Sequence, residues 1–440
     1  MIKSILQLWR KSGPPSADLF RHNCKIGGRY APAMGLDVRT ITDDEVPAFC
    51  AAMNTGFLNP TGDIDADARR PGMILDRTWA GFDGSAIVST LRSFPTDLTL
   101  PGGGMLPVSA VTAVTTTSTH RRRGLATRMV LNELAASAER GEAASVLIAA
   151  EWPIYGRFGY GAATEHQTYT VDTRIARLRE RPQGTVGYVD TETGRALAPV
   201  VYERHRLATP GELARPDRFW DLDFGILHFP SWGEPKPAFT AVARDPDGEP
   251  VGVARYTFAD KWTDRLPDGT VELRALITAT PLGDALLWDH LIALDLASTV
   301  RAADRPADDV LPWLLTDARH ATPSNRADFL WVRPLDVAAL LTGRAYTVEE
   351  KLVLEVVDGA GFAGGRFALD AGADGVTCTT TTATADLSLG VSALGTVCLG
   401  GHRLHTLAAA GLVDEHTPDA VGRADRMFRA DRAPWCSTWF

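Results

Sequence analysis

Between Leu36 and about Val171 the chain alternates hydrophobic positions with the period of a strand and with the period of a helix. LDVRTI reads as a strand, and DDEVPAFCAAMNTGF as a helix capped by Thr42 with acids in its first turn. TWAGFDGSAIVSTLRSF reads as a hairpin turning at FDG, and PGGGMLPVSAVTAVTTT as a turn leading into a strand of β-branched residues. A helix over residues 125 to 140 follows and stops at Gly141. SVLIAAE is then a short, wholly apolar strand, as expected where both faces are buried. A mixed α/β unit is the consequence.

Residues 180 to 330 repeat this grammar with the helix TETGRALAPVVYERHRLA, a hairpin PAFTAVARDPDGEPVGVARYTF turning at DPDG, the strand GTVELRALITA, the helix DALLWDHLIALDLAS and then DDVLPWLLTDAR. The shared order of hairpin, strand and helix predicts a duplicated fold. At the junction before the helix, however, the second block reads ATPLGDA where the first reads THRRRGLA.

From WVRPLDVAALLTGRAY onward, KLVLEVVD, GRFALDA and GVTCTTTTATADLSLG predict strands, with short helices around LHTLAAAG and DAVGRADRMFRA; this is a third, α+β domain. TCTTTTAT and ADLSLG read as exposed strand edges. The chain ends in APWCSTWF, and aromatics where chain ends are normally polar predict a buried tail. The expected units are an N-terminal extension over residues 1–34, then domains over 35–178, 179–330 and 331–440. Met34 is a candidate initiator, because the regular pattern starts there.

With 440 residues, 45% hydrophobic and 22% charged, the chain is long enough for several folded domains. A net charge of −9 opposes a general nucleic-acid binder, so any anion is held locally. Five cysteines without a CxxC pair indicate a reducing cytoplasm and no zinc site. No apolar run approaches the roughly 18 residues of a membrane span, and the start lacks a signal-peptide pattern.

Three consecutive arginines, Arg121 to Arg123, stand between a strand and a helix. Cations are electrostatically misplaced at a helix N-terminus unless an anion joins them there. Orphan backbone N–H groups and the helix dipole favour a phosphate, Gly124 lets it approach the backbone, and arginine adds bidentate donors. Neither a Walker loop nor a dinucleotide GxGxxG is present, which leaves the pyrophosphate of coenzyme A. The R-x-x-G-x-A pattern resembles the signature of the GNAT N-acetyltransferases. The longer stretches VTAVTTTSTHRRRGLATRM and LIAAEWPIYGRFGYGAAT resemble the Eis (enhanced intracellular survival) family within it.

That resemblance runs from about residue 35 to the end. It implies two tandem GNAT folds, the second degenerate and without a cofactor site, followed by a sterol-carrier-like α+β domain. It implies that the main chain of Val114 and Thr116 receives the pantetheine and thioester of acetyl-CoA. Arg121, Arg122 and Gly124, with the amides of Arg123, Leu125 and Ala126, would take the pyrophosphate. Tyr155 matches the general acid that protonates the leaving thiolate, and the α-carboxylate of Phe440 matches the group that accepts the amine proton; Phe440 and Trp439 are expected to anchor that end.

Tyr160 is the competing phenol, Glu151 a candidate water-activating carboxylate, and His120 a structural or cofactor-contacting residue. Family members often have Ser where this chain has Ala150, which bears on acceptor preference. No metal is required. The expected activity is acetylation of a primary amine, with aminoglycoside-like polyamines first and protein lysines or small natural-product amines as alternatives. Asp63, Asp65 and Asp67 are candidates for lining the acceptor cleft. The expected partners are a small-molecule amine and further copies of the chain in a hexamer, with neither nucleic acid nor membrane. A catalytically inactive hydrophobic-ligand-binding module is the contrasting possibility, and the intact RRRGLA and Tyr155 speak against it.

Overall fold

The computed structural model describes residues 35–59 and 64–440; the expected extension, with Met34 and Cys24, and Asp63 lie outside the described residues. The strands begin with β1 (Leu36–Thr40), β2 (Thr78–Asp83), β3 (Ala86–Thr99), β4 (Met105–Thr116), β5 (Ala144–Ile148) and β6 (Gly161–Ala162). They continue with β7 (Glu165–Asp172), β8 (Thr185–Val189), β9 (Phe239–Arg244), β10 (Pro250–Ala259), the small hairpin β11 (Trp262–Thr263) and β12 (Leu266–Pro267), β13 (Gly269–Thr278), β14 (Ala297–Pro306), β15 (Ala321–Asp328) and β16 (Leu330–Pro334). The last are β17 (Glu350–Val357), β18 (Gly365–Gly372), β19 (Gly375–Thr380), β20 (Leu387–Gly390) and β21 (Val413–Glu415). They form sheets of order β1-β2-β3-β4-β5-β16-β6, β15-β7-β14-β13-β10-β9-β8 and β19-β18-β17-β20-β21.

Two strands cross the expected boundaries at 178 and 330. β7 lies in the second sheet between β15 and β14, and β16 lies in the first sheet between β5 and β6. Every residue of β16 is buried, so it needs a neighbour on each side and a cover on each face; the first sheet supplies these. A strand's own pattern reports its burial but not its partner. The first two domains are thereby laced together. Two further readings are corrected. The helix expected through DALLWDHLIALDLAS ends at Ile292, and Ala297–Pro306 is strand β14. ADLSLG is no edge, since β20 runs between β17 and β21 with Leu387 and Leu389 buried, whereas β19 is an edge strand as expected.

The helix Leu125–Glu139 packs Leu125, Met129, Val130 and Leu134 onto the first sheet. Within that interface the fully buried Glu133 accepts hydrogen bonds from Trp79 Nε1 (2.8 Å), Ser93 Oγ (2.6 Å), Ser109 Oγ (2.9 Å) and Arg140 (2.7 Å). A buried carboxylate without such partners costs several kcal/mol, so this network fixes the helix over β2, β3 and β4. The third domain is tied on by Arg333 of β16, fully buried, which donates to both oxygens of Asp358 (2.9 and 2.8 Å) and to the carbonyl of Phe158 (2.6 Å). No helix among the described residues is long and apolar enough to cross a membrane.

Candidate active site

The site starts from a gap in the first sheet. β4 and β5 pair in parallel only from Val108 with Ala144 to Ala110 with Val146, after which β5 continues beside β16. β4 also bulges, for Thr112 opposes Arg92 and Thr115 opposes Thr90, with Ala113 between them at φ +55°. A bulge bends its strand away from the ladder. From Val111 to Thr116 the edge of β4 that faces away from β3 therefore meets no strand, and its main-chain groups remain open to a ligand. Val114 and Thr116 lie on this edge. The Thr116 hydroxyl is 2.7 Å from Ser89 Oγ, so its side chain is engaged inside the sheet.

The gap opens toward the start of the helix Leu125–Glu139, whose N-terminus carries no side-chain cap. Arg122 (φ +64°) and Gly124 (φ +80°) both adopt left-handed backbone. A Cβ at Gly124 would meet nothing within 4 Å, so glycine is favoured here by conformation rather than by crowding, and the space in front of the turn is open. Arg121, Arg122 and Arg123 are exposed, while Leu125 is buried and Ala126 half-buried. Arg123 leans on Asp83 (4.0 Å), and His120 is held between Thr119 Oγ1 (2.8 Å) and Asp83 (3.1 Å), a structural placement. Among the described residues no acid pairs with Arg121 or Arg122. Uncapped N–H groups, the dipole and two unspent guanidiniums make this turn fit a pyrophosphate.

Tyr155 closes the short helix Trp152–Tyr155 and is buried. It shares an apolar cluster with Val111, Leu125 and Leu147, with Val114 at the margin, which places it on the helix side of the gap. Burial, with the charge of Glu151 behind it, pushes the Tyr155 phenol up to about 12, so it is protonated at neutral pH. Its hydroxyl makes no hydrogen bond among the described residues. Tyr160 differs. Its ring packs edge-on against Tyr155 at 6.0 Å, but its hydroxyl is 2.7 Å from Ser145 Oγ. Ser145 already donates to the carbonyl of Ser109 (3.2 Å), so Tyr160 spends its proton on Ser145. Only Tyr155 of the two has a proton to give. Glu151 is exposed.

Phe440 lies on the opposite face. It packs at 5.6 Å, edge-on, against Phe94 of β3, and with Ile148 lies at the margin of the cluster that contains Ala110 and Val146. Side chains alternate along a strand, so Val111 and Leu147 face Tyr155 while Ala110 and Val146 face Phe440. The two groups thus flank the gap from its two sides. Trp439 is 66% exposed and rests its ring at 5.4 Å against the buried Phe329, whereas Trp435, Cys436 and Thr438 are buried and hold the tail more closely. Asp65 is also spent, on Ser231 of the second domain and on Arg69, and Asp67 is exposed in its loop. The sequence reading missed Tyr202, Glu212 and Arg215, which grip the tail from more than 200 positions away, and no local signal marks them.

Residues 37–163 match the acetyltransferase (GNAT) domain model, residues 211–334 match a second acetyltransferase (GNAT) domain model, and residues 337–437 match the sterol carrier protein domain model. The chain is a GNAT N-acetyltransferase with two such domains and a sterol-carrier-like third. It is 35% identical over 404 residues to N-acetyltransferase Eis of Mycobacterium tuberculosis (89% of this chain, 96% of that one). It is 40% identical over 415 residues to an uncharacterized N-acetyltransferase of Streptomyces avermitilis (92% and 99%). The crystal structure of Eis1 from Mycobacterium abscessus superposes with a TM-score of 0.81 at 31% identity, covering 92% of this chain and all of that one. The chain belongs to the Eis family of acetyl-CoA-using N-acetyltransferases.

Proposed function

We propose that the chain transfers acetyl from acetyl-CoA directly to a primary amine in a ternary complex, with aminoglycoside-like polyamines as acceptors. The observation that carries this reading is the uncapped turn Arg121–Ala126 at the mouth of the β4–β5 gap, flanked by a phenol with an unspent proton. Arg121, Arg122 and Gly124, with the amides of Arg123, Leu125 and Ala126, hold the pyrophosphate; the main chain of Val114 and Thr116 orients the pantetheine arm. Bound acetyl-CoA supplies the activated thioester.

An amine attacks only when neutral, so a carboxylate on the acceptor face is useful: Phe440 takes the proton released as the C–N bond forms. Tyr155, on the other face, gives its proton to the sulfur as the C–S bond breaks. The net charge of −9 favours a cationic acceptor. Assembly as a hexamer, a cytoplasmic location and independence from metal belong to the same reading and rest on resemblance.

The test is acetyl-CoA-dependent thiol release with aminoglycosides, polyamines, lysine peptides and arylalkylamines, with intact mass of each product. Multiply acetylated aminoglycoside is the expected product. Release with lysine peptides alone would replace the acceptor class, and binding of acetyl-CoA without release from any amine would overturn the polyamine reading.

A further inference from the structure

The second domain repeats the gap of the first and bridges it with Arg305 and the tail of the same chain, beside a cavity of about 450 Å³. β13 and β14 pair in parallel from Gly269 with Ala297 to Leu273 with Ala302 and then part, and β13 bulges between Leu273 and Ala275. Across this gap the buried Arg305 of β14 donates to the carbonyl of Leu276 in β13 (2.9 Å) and to Asp309 (2.7 Å). Trp435 closes it, with its ring 5.3 Å from the Arg305 guanidinium and Nε1 donating to the carbonyl of Asp304 (2.9 Å).

The next residues are held just as closely. The N–H of Ser437 reaches both oxygens of Glu212 (3.1 Å each). Arg215 donates from Nε to Thr438 Oγ1 (2.8 Å) and from Nη2 to Ser437 Oγ (2.7 Å), and the Tyr202 hydroxyl is 3.0 Å from Thr438 Oγ1. The guanidinium of Arg215 stacks on the rings of Tyr202 (4.3 Å) and Trp220 (4.8 Å). Its fork meets two adjacent hydroxyls. A slip by one residue would offer Cys436 or Trp439 in place of one of them and leave a buried donor unpaired, which is costly.

We propose that the second domain is a clamp for the chain end, in which Arg215 and Glu212 are positioning residues that fix Ser437 and Thr438 and thereby set where the carboxylate of Phe440 stands at the gap of the first domain. Two residues separate Thr438 from that carboxylate, a leash of about 7 Å, too short to absorb a slip. The proposal rests on the reading of Phe440 as the proton acceptor.

Thr438→Val keeps the shape and removes the hydroxyl, Thr438→Ser restores it, and Arg215→Lys keeps the charge but loses the fork. With acetyl-CoA and the aminoglycoside neomycin, Thr438→Val and Arg215→Lys lower kcat about ten- to a hundredfold, as for a displaced reacting group. The KM for acetyl-CoA stays within about twofold, and Thr438→Ser returns kcat to near the parent value.

Carboxypeptidase trimming followed by mass measurement gives a second readout that needs no turnover. The parent loses Trp439 and Phe440 and stops at the buried Thr438, while Thr438→Val and Arg215→Lys are trimmed beyond it. Parent-like kcat in Thr438→Val, or trimming of the parent past Thr438 as readily as of the variants, would overturn the clamp. A chain extended by a glycine after Phe440 separates the two ideas. Full turnover of the extended chain removes the carboxylate from the mechanism; an inactive extended chain beside a fully active Thr438→Val removes the clamp alone.

Discussion

In the first GNAT domain the helix Leu125–Glu139 starts after a left-handed glycine with no side chain over its N-terminus. In the second, the corresponding helix Pro281–Ile292 starts at Thr280, whose hydroxyl accepts from the N–H of Gly283 at 3.2 Å. The first turn of the second helix also carries Asp284, an acid that suits the dipole and repels a phosphate. Burial raises the carboxyl of Asp284 above its usual range, with Arg305 opposing that shift. The gap between diverging strands is present in both, unbridged in the first and bridged by Arg305 and Trp435 in the second. What separates the two copies is where their open polar groups find partners. In the second copy the chain itself caps the helix and bridges the diverging strands, whereas in the first copy the corresponding groups are left to a ligand.

The largest effect that can break this contrast is at Tyr155. Tyr155→Phe keeps the packing against Tyr160 and removes a phenolic proton that is unspent among the described residues, so kcat falls by about 10² to 10⁴, the usual worth of general acid catalysis. Binding of acetyl-CoA, followed by calorimetry, stays near the parent value. Because burial holds the phenol protonated up to about 12, the parent rate shows no alkaline loss from this group near its ordinary value of 10. A parent-like kcat in Tyr155→Phe would leave the gap without its acid.

A smaller effect is expected at the turn. Arg121→Ala, and Arg122→Gly, which keeps the left-handed backbone without strain, each weaken acetyl-CoA about tenfold, and less so at high salt, since the contacts are charge-assisted and exposed. Thermal unfolding is little changed because both residues are exposed. An affinity indifferent to both variants and to salt would place the pyrophosphate elsewhere.

Much of this contrast is legible in the chain itself. RRRGLA against ATPLGDA marks the difference between the two copies, and the β-branched run of β4 beside the apolar SVLIAAE marks the strands that part. Pairing partners are not legible. β7 and β16 exchange sheets because burial on two faces can be met in either domain, and nothing local chooses between them. The plug of the second gap is equally hidden, since Arg305 and Trp435 stand 130 positions apart. At the chain end, aromatic identity is only half a guide: Trp435 is buried as expected but Trp439 is exposed, and the rest of the grip comes from two small hydroxyls, Ser437 and Thr438, matched to a buried arginine side chain.

The smallest effect tests whether capping alone keeps the second copy empty. Thr280→Ala removes the hydroxyl that satisfies Gly283 and costs about 1 kcal/mol of stability, the usual loss for an N-cap, read from denaturant unfolding. It exposes an N–H group comparable to those at Gly124, yet Asp284 still faces any incoming phosphate and Arg305 with Trp435 still bridges the gap. Calorimetric titration with acetyl-CoA therefore keeps the parent stoichiometry of a single molecule per chain. A second binding event in Thr280→Ala would mean that the cap was the whole barrier and that the plug yields to the ligand. Unchanged stoichiometry with the expected loss of stability would mean that the bridged gap and the acid suffice, and that the cap serves only the helix.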